Sequence, residues 1–186
     1  MKGAPGPTGR HEGRSRTVRS TCSGDALSTY RRVSDVVATA AHSAEVLEVV
    51  WDQQADLDLP SVGDRFTARN QSGSLRWTST ATVLSAEPGR RFAFAVGPPE
   101  RPTAVWSFDL SCVDVPGAGA RTTVAYTVVL GSGPSMFDTI KHLTPVQYDA
   151  VVEQRLDELA SSMSVVLEAL GRGAADDHAA DESSRA

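Results

Sequence analysis

The sequence predicts an α+β fold in which a strongly curved, seven-stranded antiparallel sheet wraps around a long C-terminal helix. Segments between residues 45 and 130 alternate apolar and polar residues with a period of two, which is typical of half-buried strands. The turns between these segments are too short for the crossovers that parallel strands need. An apolar stripe at helical spacing then occupies the last part of the chain.

The N-terminal part of the domain predicts one strand and two short helices. The strand is expected at Arg16 to Cys22, in "RTVRSTC". The following "SGDALSTYRRVSDV" begins a helix that Ser23 or Asp25 can cap, with an apolar face at Leu27, Tyr30 and Val33. The segment "VVATAA" continues it as a second short helix.

Six further strands are predicted from alternation and from the Gly-rich or Pro-rich turns that separate them. In "EVLEVVWD" the alternation places Leu47, Val49 and Trp51 on one face. The "PGAGAR" segment is expected to be the last hairpin loop. The strands are "EVLEVVWD", "DRFTARNQ", "LRWTSTATVLS", "RFAFAV", "AVWSFDLSCV" and "TTVAYTVVL".

The C-terminal helix is predicted to run from Pro145 to Leu170. Thr144 and Gln147 form a capping-box pattern around a proline at the first helical position. Gly171 is a natural C-terminal stop. One face of this helix carries the stripe of Tyr148, Val152, Leu156, Leu159, Met163, Val166 and Leu170.

Composition indicates one domain, residues 16–171, between two tails. Residues 1–15 are rich in Gly, Pro and Arg, residues 172–186 are small and acidic, and both are expected to be disordered. The net charge of -5 argues against nucleic acid or an anionic membrane as partner. Without a secretory or membrane-spanning segment, we expect a cytoplasmic protein in which Cys22 and Cys112 are reduced, buried thiols.

Several of these segments also carry a family resemblance. They are "VSDV" at Val33–Val36, "SAEVLEVVW" at Ser43–Trp51, the run from Val62 to Phe94, "WSFDL" at Trp106–Leu110, and Thr122–Val124. With them the chain resembles the actinobacterial type of the polyketide cyclase/dehydrase branch of the START-like (SRPBCC) superfamily. The resemblance implies a helix-grip fold with a cavity between sheet and helix. It also implies a function among those of polyketide aromatase/cyclases and of lipid or quinone binders.

The inward-facing positions of the strands provide a candidate ligand site. Small residues lie between Trp77 and Val83, and they fill space poorly, which favours a cavity over a tightly packed core. Tyr126 is the most informative polar residue, because a buried phenol needs a hydrogen-bond partner. The expected ligand-binding residues are Trp51, Asn70, Trp77, Ser79, Phe94, Trp106, Phe108 and Tyr126.

Two interpretations of these residues stay open. The tryptophans are either ordinary core residues or aromatic walls against a planar ligand. Likewise, Tyr126 bonds either to Asn70 or Ser79 within the protein, or to a ligand. Tyr126, His42 and His142 are candidate acid–base groups, although both histidines are also explained as surface residues near helix ends.

No metal-ligand spacing or nucleophile motif is visible, so neither a metal nor a cofactor is expected. The first functional hypothesis is a protein that binds a small hydrophobic or aromatic metabolite. The second is a cyclase, aromatase or dehydratase acting on a polyketide-like chain. A regulatory protein-interaction module is the third, and the oligomeric state, monomer or homodimer, stays open.

Overall fold

Seven antiparallel strands form one sheet in the order β1-β7-β6-β5-β4-β3-β2. A computed structural model describes residues 10–52, 59–115 and 119–184. For residues 113–115, 119 and 173–184 it describes the backbone only. The strands are β1 (Ser15–Ser23), β2 (Val46–Trp51), β3 (Arg65–Ser72), β4 (Leu75–Glu87), β5 (Arg91–Val96), β6 (Ala104–Val115) and β7 (Gly119–Leu130). The helices are α1 (Ala26–Ser34), α2 (Val36–Ala40) and α3 (Pro145–Ser184), and a 3₁₀ turn spans Met136–Ile140.

The predicted fold class is confirmed: the protein has an α+β, helix-grip-like architecture with a curved antiparallel sheet and a long C-terminal helix. Every predicted strand is present, with boundaries shifted by a few residues. Part of the predicted "PGAGAR" loop, residues 116–118, lies outside the described residues.

One strand departs from simple alternation. The pairing of β2 with β3 shifts register between Val46 and Glu48, which is the signature of a β-bulge. The extra residue turns Leu47 outward, where it is 54% exposed. The prediction that Leu47 shares a face with Val49 and Trp51 is therefore wrong, because a bulge breaks the period of two.

Both helix starts follow local capping chemistry. Of the two candidates for α1, Asp25 is the N-cap, and its carboxylate accepts hydrogen bonds from the backbone nitrogens of Leu27 and Ser28, both at 2.8 Å. At α3 the Thr144 nitrogen donates to Gln147 Oε1 at 3.2 Å. The Gln147 nitrogen donates in turn to Thr144 Oγ1 at 3.4 Å, which confirms the predicted capping box.

The predicted stripe of α3 is buried in the core, but the predicted end of the helix is wrong. Leu156 and Val152 are fully buried, and Met163 is 1% exposed. The helix continues past Gly171 to Ser184. Ala is the best helix former, and the Ala-rich segment that follows offsets the cost of two glycines. The expectation of a disordered tail is therefore wrong for residues 172–184, which continue α3.

The N-terminal boundary of the domain also needs a correction, because residues 10–15 are not a disordered tail. His11 is only 3% exposed, and its Nδ1 lies 2.5 Å from the Tyr148 hydroxyl on α3. Arg14 forms ion pairs with Asp149 at 2.6 Å and Glu153 at 3.2 Å. These contacts join sites far apart in the sequence, so local composition does not reveal them. The expectation for residues 1–9 lies outside the described residues.

The cysteines differ from expectation in one respect. Cys22 is a free, buried thiol, and burial raises its pKa. Cys112 is free but exposed, so the prediction that both are buried is wrong. Within the described parts of the chain, no helix is both long and apolar enough to cross a membrane.

The position of α3 leaves part of the concave face uncovered. Six spacings of ~4.8 Å make the sheet about 29 Å wide, whereas a helix with its side chains is only about 10–12 Å across. α3 packs along β1, at one edge of the sheet. Its length suffices for the sheet but its width does not, and the face of the central strands beyond it is free to line a cavity.

A candidate ligand-binding cavity

A cavity of about 1330 Å³ lies between the concave face of the sheet, α2 and α3. Its walls are mainly apolar and aromatic. The sheet contributes Val49, Phe66, Ala68, Asn70, Trp77, Ser79, Ala81, Phe94, Val96, Ala104, Trp106, Phe108, Tyr126 and Leu130. The helices contribute Val36, Thr39, Ala40, Arg155, Glu158, Leu159, Ser162, Met163 and Val166.

The structure brings together all but one of the predicted ligand-binding residues. Trp51 is the exception, and it does not line the cavity. Its ring packs against Phe66, with centroids 5.2 Å apart at 71°. Phe66 itself lines the cavity. The face of Trp51 was predicted correctly, but its strand lies at the edge of the sheet, and Phe66 occupies the inner position. The lining residues are Asn70, Trp77, Ser79, Phe94, Trp106, Phe108 and Tyr126.

Two groups of packed aromatic rings form much of the cavity wall. Tyr126 stacks on Phe108, with centroids 4.0 Å apart and planes 14° apart. The Trp106 ring is tilted against Tyr126, with centroids 5.5 Å apart. Phe66 and Phe94 meet edge to face at 5.1 Å. Rings supported by other rings keep their orientation, so this wall offers flat apolar surface to a ligand without reorganisation.

Tyr126 presents a hydroxyl inside this apolar wall. The residue is 8% exposed, and burial raises the pKa of its phenol well above the ordinary value. The hydroxyl therefore stays protonated at neutral pH and acts as a donor. Among the described residues no hydrogen bond joins it to Asn70 or Ser79, the two partners proposed from the sequence.

Asn70 and Ser79 instead bond to each other. Asn70 Nδ2 donates to Ser79 Oγ at 3.1 Å and to the Ala68 carbonyl at 3.2 Å. Register places Ala68 opposite Ser79 and Asn70 opposite Trp77, so the pair lies beside an aromatic ring. The arrangement leaves Asn70 Oδ1 and the Ser79 hydroxyl proton available to a bound molecule.

Two loops form a tied rim at one side of the cavity. The β5–β6 loop and the segment after β7 exchange hydrogen bonds, including Gly131 N to Thr103 O at 2.9 Å and Gly133 N to Pro102 O at 2.8 Å. A Cβ atom on Gly131 would lie 2.0 Å from the Pro102 carbonyl oxygen. Glycine is required there because the two backbones touch. The rim residues on the cavity include Pro98, Pro99, Pro134, Met136 and Phe137.

A charged pair in the wall was not anticipated from the sequence. Arg155 of α3 binds Glu45, which precedes β2, through two hydrogen bonds of 2.5 and 2.7 Å. Both residues line the cavity. The available signal was the helical spacing, because Arg155 lies four residues before Leu159 on the flank of the apolar stripe. Its partner lies 110 residues away, and no local pattern identifies it.

The two histidines proposed as acid–base groups lie elsewhere. His42 and His142 are both exposed, and neither lines the cavity. Within the described residues, no group of three His, Cys, Asp or Glu side chains is placed to hold a metal ion. Of the three catalytic candidates, Tyr126 alone lines the cavity.

Comparison with solved structures places this fold among known proteins. A polyketide-cyclase-like protein from Corynebacterium glutamicum is 20% identical and matches over 85% of this chain and 89% of its own, with a TM-score of 0.54. An aromatase/cyclase from a Streptomyces species is 17% identical over 86% of this chain and 94% of its own, with a TM-score of 0.61.

The two-domain aromatase/cyclase of the steffimycin biosynthetic pathway gives a TM-score of 0.65 at 11% identity, over 92% of this chain and 53% of its own. No protein-family model matches the chain, and comparison with curated protein sequences finds no match. The structural neighbours are thus polyketide-cyclase-like proteins and aromatase/cyclases, consistent with the START-like polyketide cyclase branch that the sequence resembles. At these identities the likeness establishes the fold.

Proposed function

We propose that this protein binds one planar, largely apolar molecule in the cavity between the sheet and α3. The observation that carries the proposal is the aromatic-walled space of about 1330 Å³. Ligand pockets typically enclose about 300–1,000 Å³, so this space accommodates a molecule of several fused rings. Larger hydrophobic side chains at Ala68, Ser79 and Ala81 would fill this space and pack the core more tightly. The small side chains at these positions leave the cavity open.

Polar groups in the wall orient the bound molecule. Tyr126 donates a hydrogen bond to an acceptor such as a ketone, because its hydroxyl is protonated and has no hydrogen-bond partner among the described residues. Asn70 and Ser79 offer a second polar contact nearer Trp77. A ligand with two separated oxygens on a flat skeleton satisfies both positions, and the surrounding apolar wall strengthens each contact by excluding water.

Titration with Nile red, a neutral planar dye with a ketone oxygen, tests this proposal. We expect saturable 1:1 binding with a blue-shifted emission maximum. Ala68→Trp fills the cavity from β3 and should abolish binding. Arg69→Trp is the matched control, because the adjacent side chain lies on the opposite, exposed face and does not line the cavity.

Native mass spectrometry of the freshly purified protein provides a second measurement. A co-purified mass that is present in the wild type and lost in Ala68→Trp would identify a natural ligand class. If the dye binds both variants equally, or fails to bind the wild type, the cavity is not a ligand site and the proposal is wrong.

A second candidate function is ring closure of a poly-ketone chain, which is favoured by the likeness of the fold to two aromatase/cyclases. In an aldol-type step solvent acts as the base that takes an α-proton, the resulting enolate carbon attacks a ketone, and the ketone oxygen takes up a proton. In the dehydration that follows, a second α-proton and the new hydroxyl leave as water. In this proposal Tyr126 would hydrogen-bond that oxygen while the aromatic wall holds the chain folded; its position in the cavity wall, stacked on Phe108, supports the role. Turnover of a diketone model substrate by the wild type, reduced in Tyr126→Phe, distinguishes this candidate from binding alone.

The remaining predictions about context are unchanged by these proposals. A small hydrophobic molecule is the proposed partner. No described feature favours a protein-interaction module over a ligand-binding cavity. The cytoplasmic location stays a prediction, which cell fractionation tests. The oligomeric state stays open between monomer and homodimer, and light scattering distinguishes the two.

A further inference from the structure

The Glu45–Arg155 pair is the feature of the cavity that the proposed function does not use. Arg155 Nη1 and Nη2 donate to the two carboxylate oxygens of Glu45 at 2.5 and 2.7 Å, and Nη1 also donates to Glu158 at 3.3 Å. The side chains of Arg155 and Glu45 are 18% and 26% exposed, which makes theirs the most buried ion pair of the described residues.

The geometry of this pair is that of a bound carboxylate. A guanidinium that grips two carboxylate oxygens in parallel is the standard way for a protein to hold an acidic ligand. Here Glu45, supplied by the chain itself, occupies that fork. Its backbone carbonyl accepts a hydrogen bond from Gln71 N at 2.8 Å, which anchors the residue beside β3.

The Glu45–Arg155 pair borders the cavity. Leu159 and Met163 lie four and eight residues after Arg155 on α3, and all three line the cavity. On the other side, Ser43, Glu45 and Val46 line it from the segment before and within β2. A molecule bound between sheet and helix therefore lies next to the pair.

The balance of charge at this point is negative. Two carboxylates, Glu45 and Glu158, surround one guanidinium. An acidic ligand that displaced Glu45 from Arg155 would leave a half-buried carboxylate without its partner, beside a second one. A neutral ligand pays no such penalty, because it leaves the pair intact.

We propose that Glu45 and Arg155 form a charge filter, in which Glu45 blocks the cavity's built-in carboxylate site so that neutral ligands are selected over acidic analogues of the same skeleton. This inference rests on the proposed function and adds a substrate class to it: uncharged ketones, phenols and quinones rather than free acids. Selectivity by exclusion of the wrong charge is a common device of specific binding sites.

The test compares 2-naphthol with 2-naphthoate at pH 7, by calorimetric titration into the wild type, Glu45→Gln and Glu48→Gln. The two probes share a skeleton and differ in charge. Glu45→Gln removes the carboxylate that occupies both Nη atoms of Arg155 and keeps the size of the side chain, while the contact of Nη1 with Glu158 remains. Glu48→Gln is the matched control: it makes the same change in net charge, on the exposed residue that pairs with Arg69 at 2.9 Å.

We expect the wild type and Glu48→Gln to bind naphthol at least about ten-fold more tightly than naphthoate. Glu45→Gln should reverse that preference by gaining affinity for naphthoate, while its affinity for naphthol stays within about two-fold. Arg155→Gln should not gain naphthoate affinity, because the fork is absent.

Equal binding of the two probes by the wild type would overturn the filter, and so would a Glu45→Gln variant with an unchanged preference. In that second case a lowered thermal midpoint would identify the pair as a strap between the segment before β2 and α3. If no variant, nor the wild type, bound 2-naphthol, 2-naphthoate or Nile red, the proposed function itself would be overturned, which separates the two failures.

Discussion

The concave face of the sheet has one half that is covered by α3 and one half that lines the cavity. Both halves have the same alternating sequence pattern, but their inward side chains are buried to different extents. In the helix-covered half, Val124 and Val128 of β7 and Val152 and Leu156 of α3 are completely buried. In the cavity half, Trp77 is 36% exposed and Ser79 is half-buried, although both point to the same side of the sheet. The two halves therefore differ in what lies above them.

The comparison teaches that one helix cannot close a seven-stranded face. α3 packs along β1, and ion pairs of Arg14 and Arg16 with Asp149, Glu153 and Asp157 fix it there. The strands farther from β1 lie beyond the reach of α3, and the short helices α1 and α2 cover only part of them. Small residues at these positions keep the space open, and aromatic residues supply walls.

The largest loss of stability is expected from a substitution in the helix-covered half. Leu156→Ala should lower the free energy of unfolding by about 2–5 kcal/mol, because it opens a void in a fully packed region. Leu159→Ala, one turn later and on the cavity, should cost clearly less, because the space beside it is already open. Urea denaturation of both variants measures the difference. Equal losses would mean that the cavity half is packed as tightly as the covered half.

The rim of the cavity should show the next largest effect. Gly131→Ala places a Cβ atom against the Pro102 carbonyl, so we expect a loss of about 1–3 kcal/mol and weaker Nile red binding. Gly171→Ala is the control, since nothing lies within 4 Å of its Cβ position on the helix, and it should stabilise slightly. A Gly131→Ala variant as stable as the wild type would show that the rim loops yield.

The boundary between the halves should be sensitive to pH. His11 packs on Phe137, a cavity residue, with ring centroids 4.7 Å apart. Burial lowers the pKa of His11, an effect partly opposed by nearby Asp138. The folded state therefore favours the neutral form of His11. Its contribution to stability is complete above the unfolded value of about 6.5 and is lost as pH falls through the lowered pKa.

We therefore expect the urea midpoint of the wild type to fall between about pH 7.5 and pH 5.5. His11→Gln cannot titrate, and its midpoint should change less over that range. Parallel curves for the two proteins would contradict the role assigned to His11, whatever their absolute stabilities.

The smallest effect on stability is expected in the aromatic wall. Tyr126→Phe removes a hydroxyl without a partner among the described protein groups, so the free energy of unfolding should stay within about 0.5 kcal/mol. Affinity for Nile red should fall by about five-fold, near the 1 kcal/mol of a typical hydrogen bond. A loss of stability with unchanged dye affinity would make Tyr126 a core residue.

Much of this protein could be predicted because the determining signals are local. The alternation of Phe92, Phe94 and Val96 requires only neighbouring residues, and so does the capping box of Thr144 and Gln147. Parity along the strands also selected the predicted ligand-binding residues, and seven of those eight line the cavity. Local signals thus predict the elements and, outside the bulge of β2, the faces of most inward side chains.

Tertiary structure decided everything that depends on distance across the sheet. Trp51 has the predicted face but lies at an edge, His42 and His142 lie outside the cavity, and His11 joins α3 instead of a tail. The Glu45–Arg155 contact spans 110 positions in the sequence. These outcomes depend on the order of the strands in the sheet and on where the helices pack against it, and both are set by the packing of the whole chain and by no single segment of it.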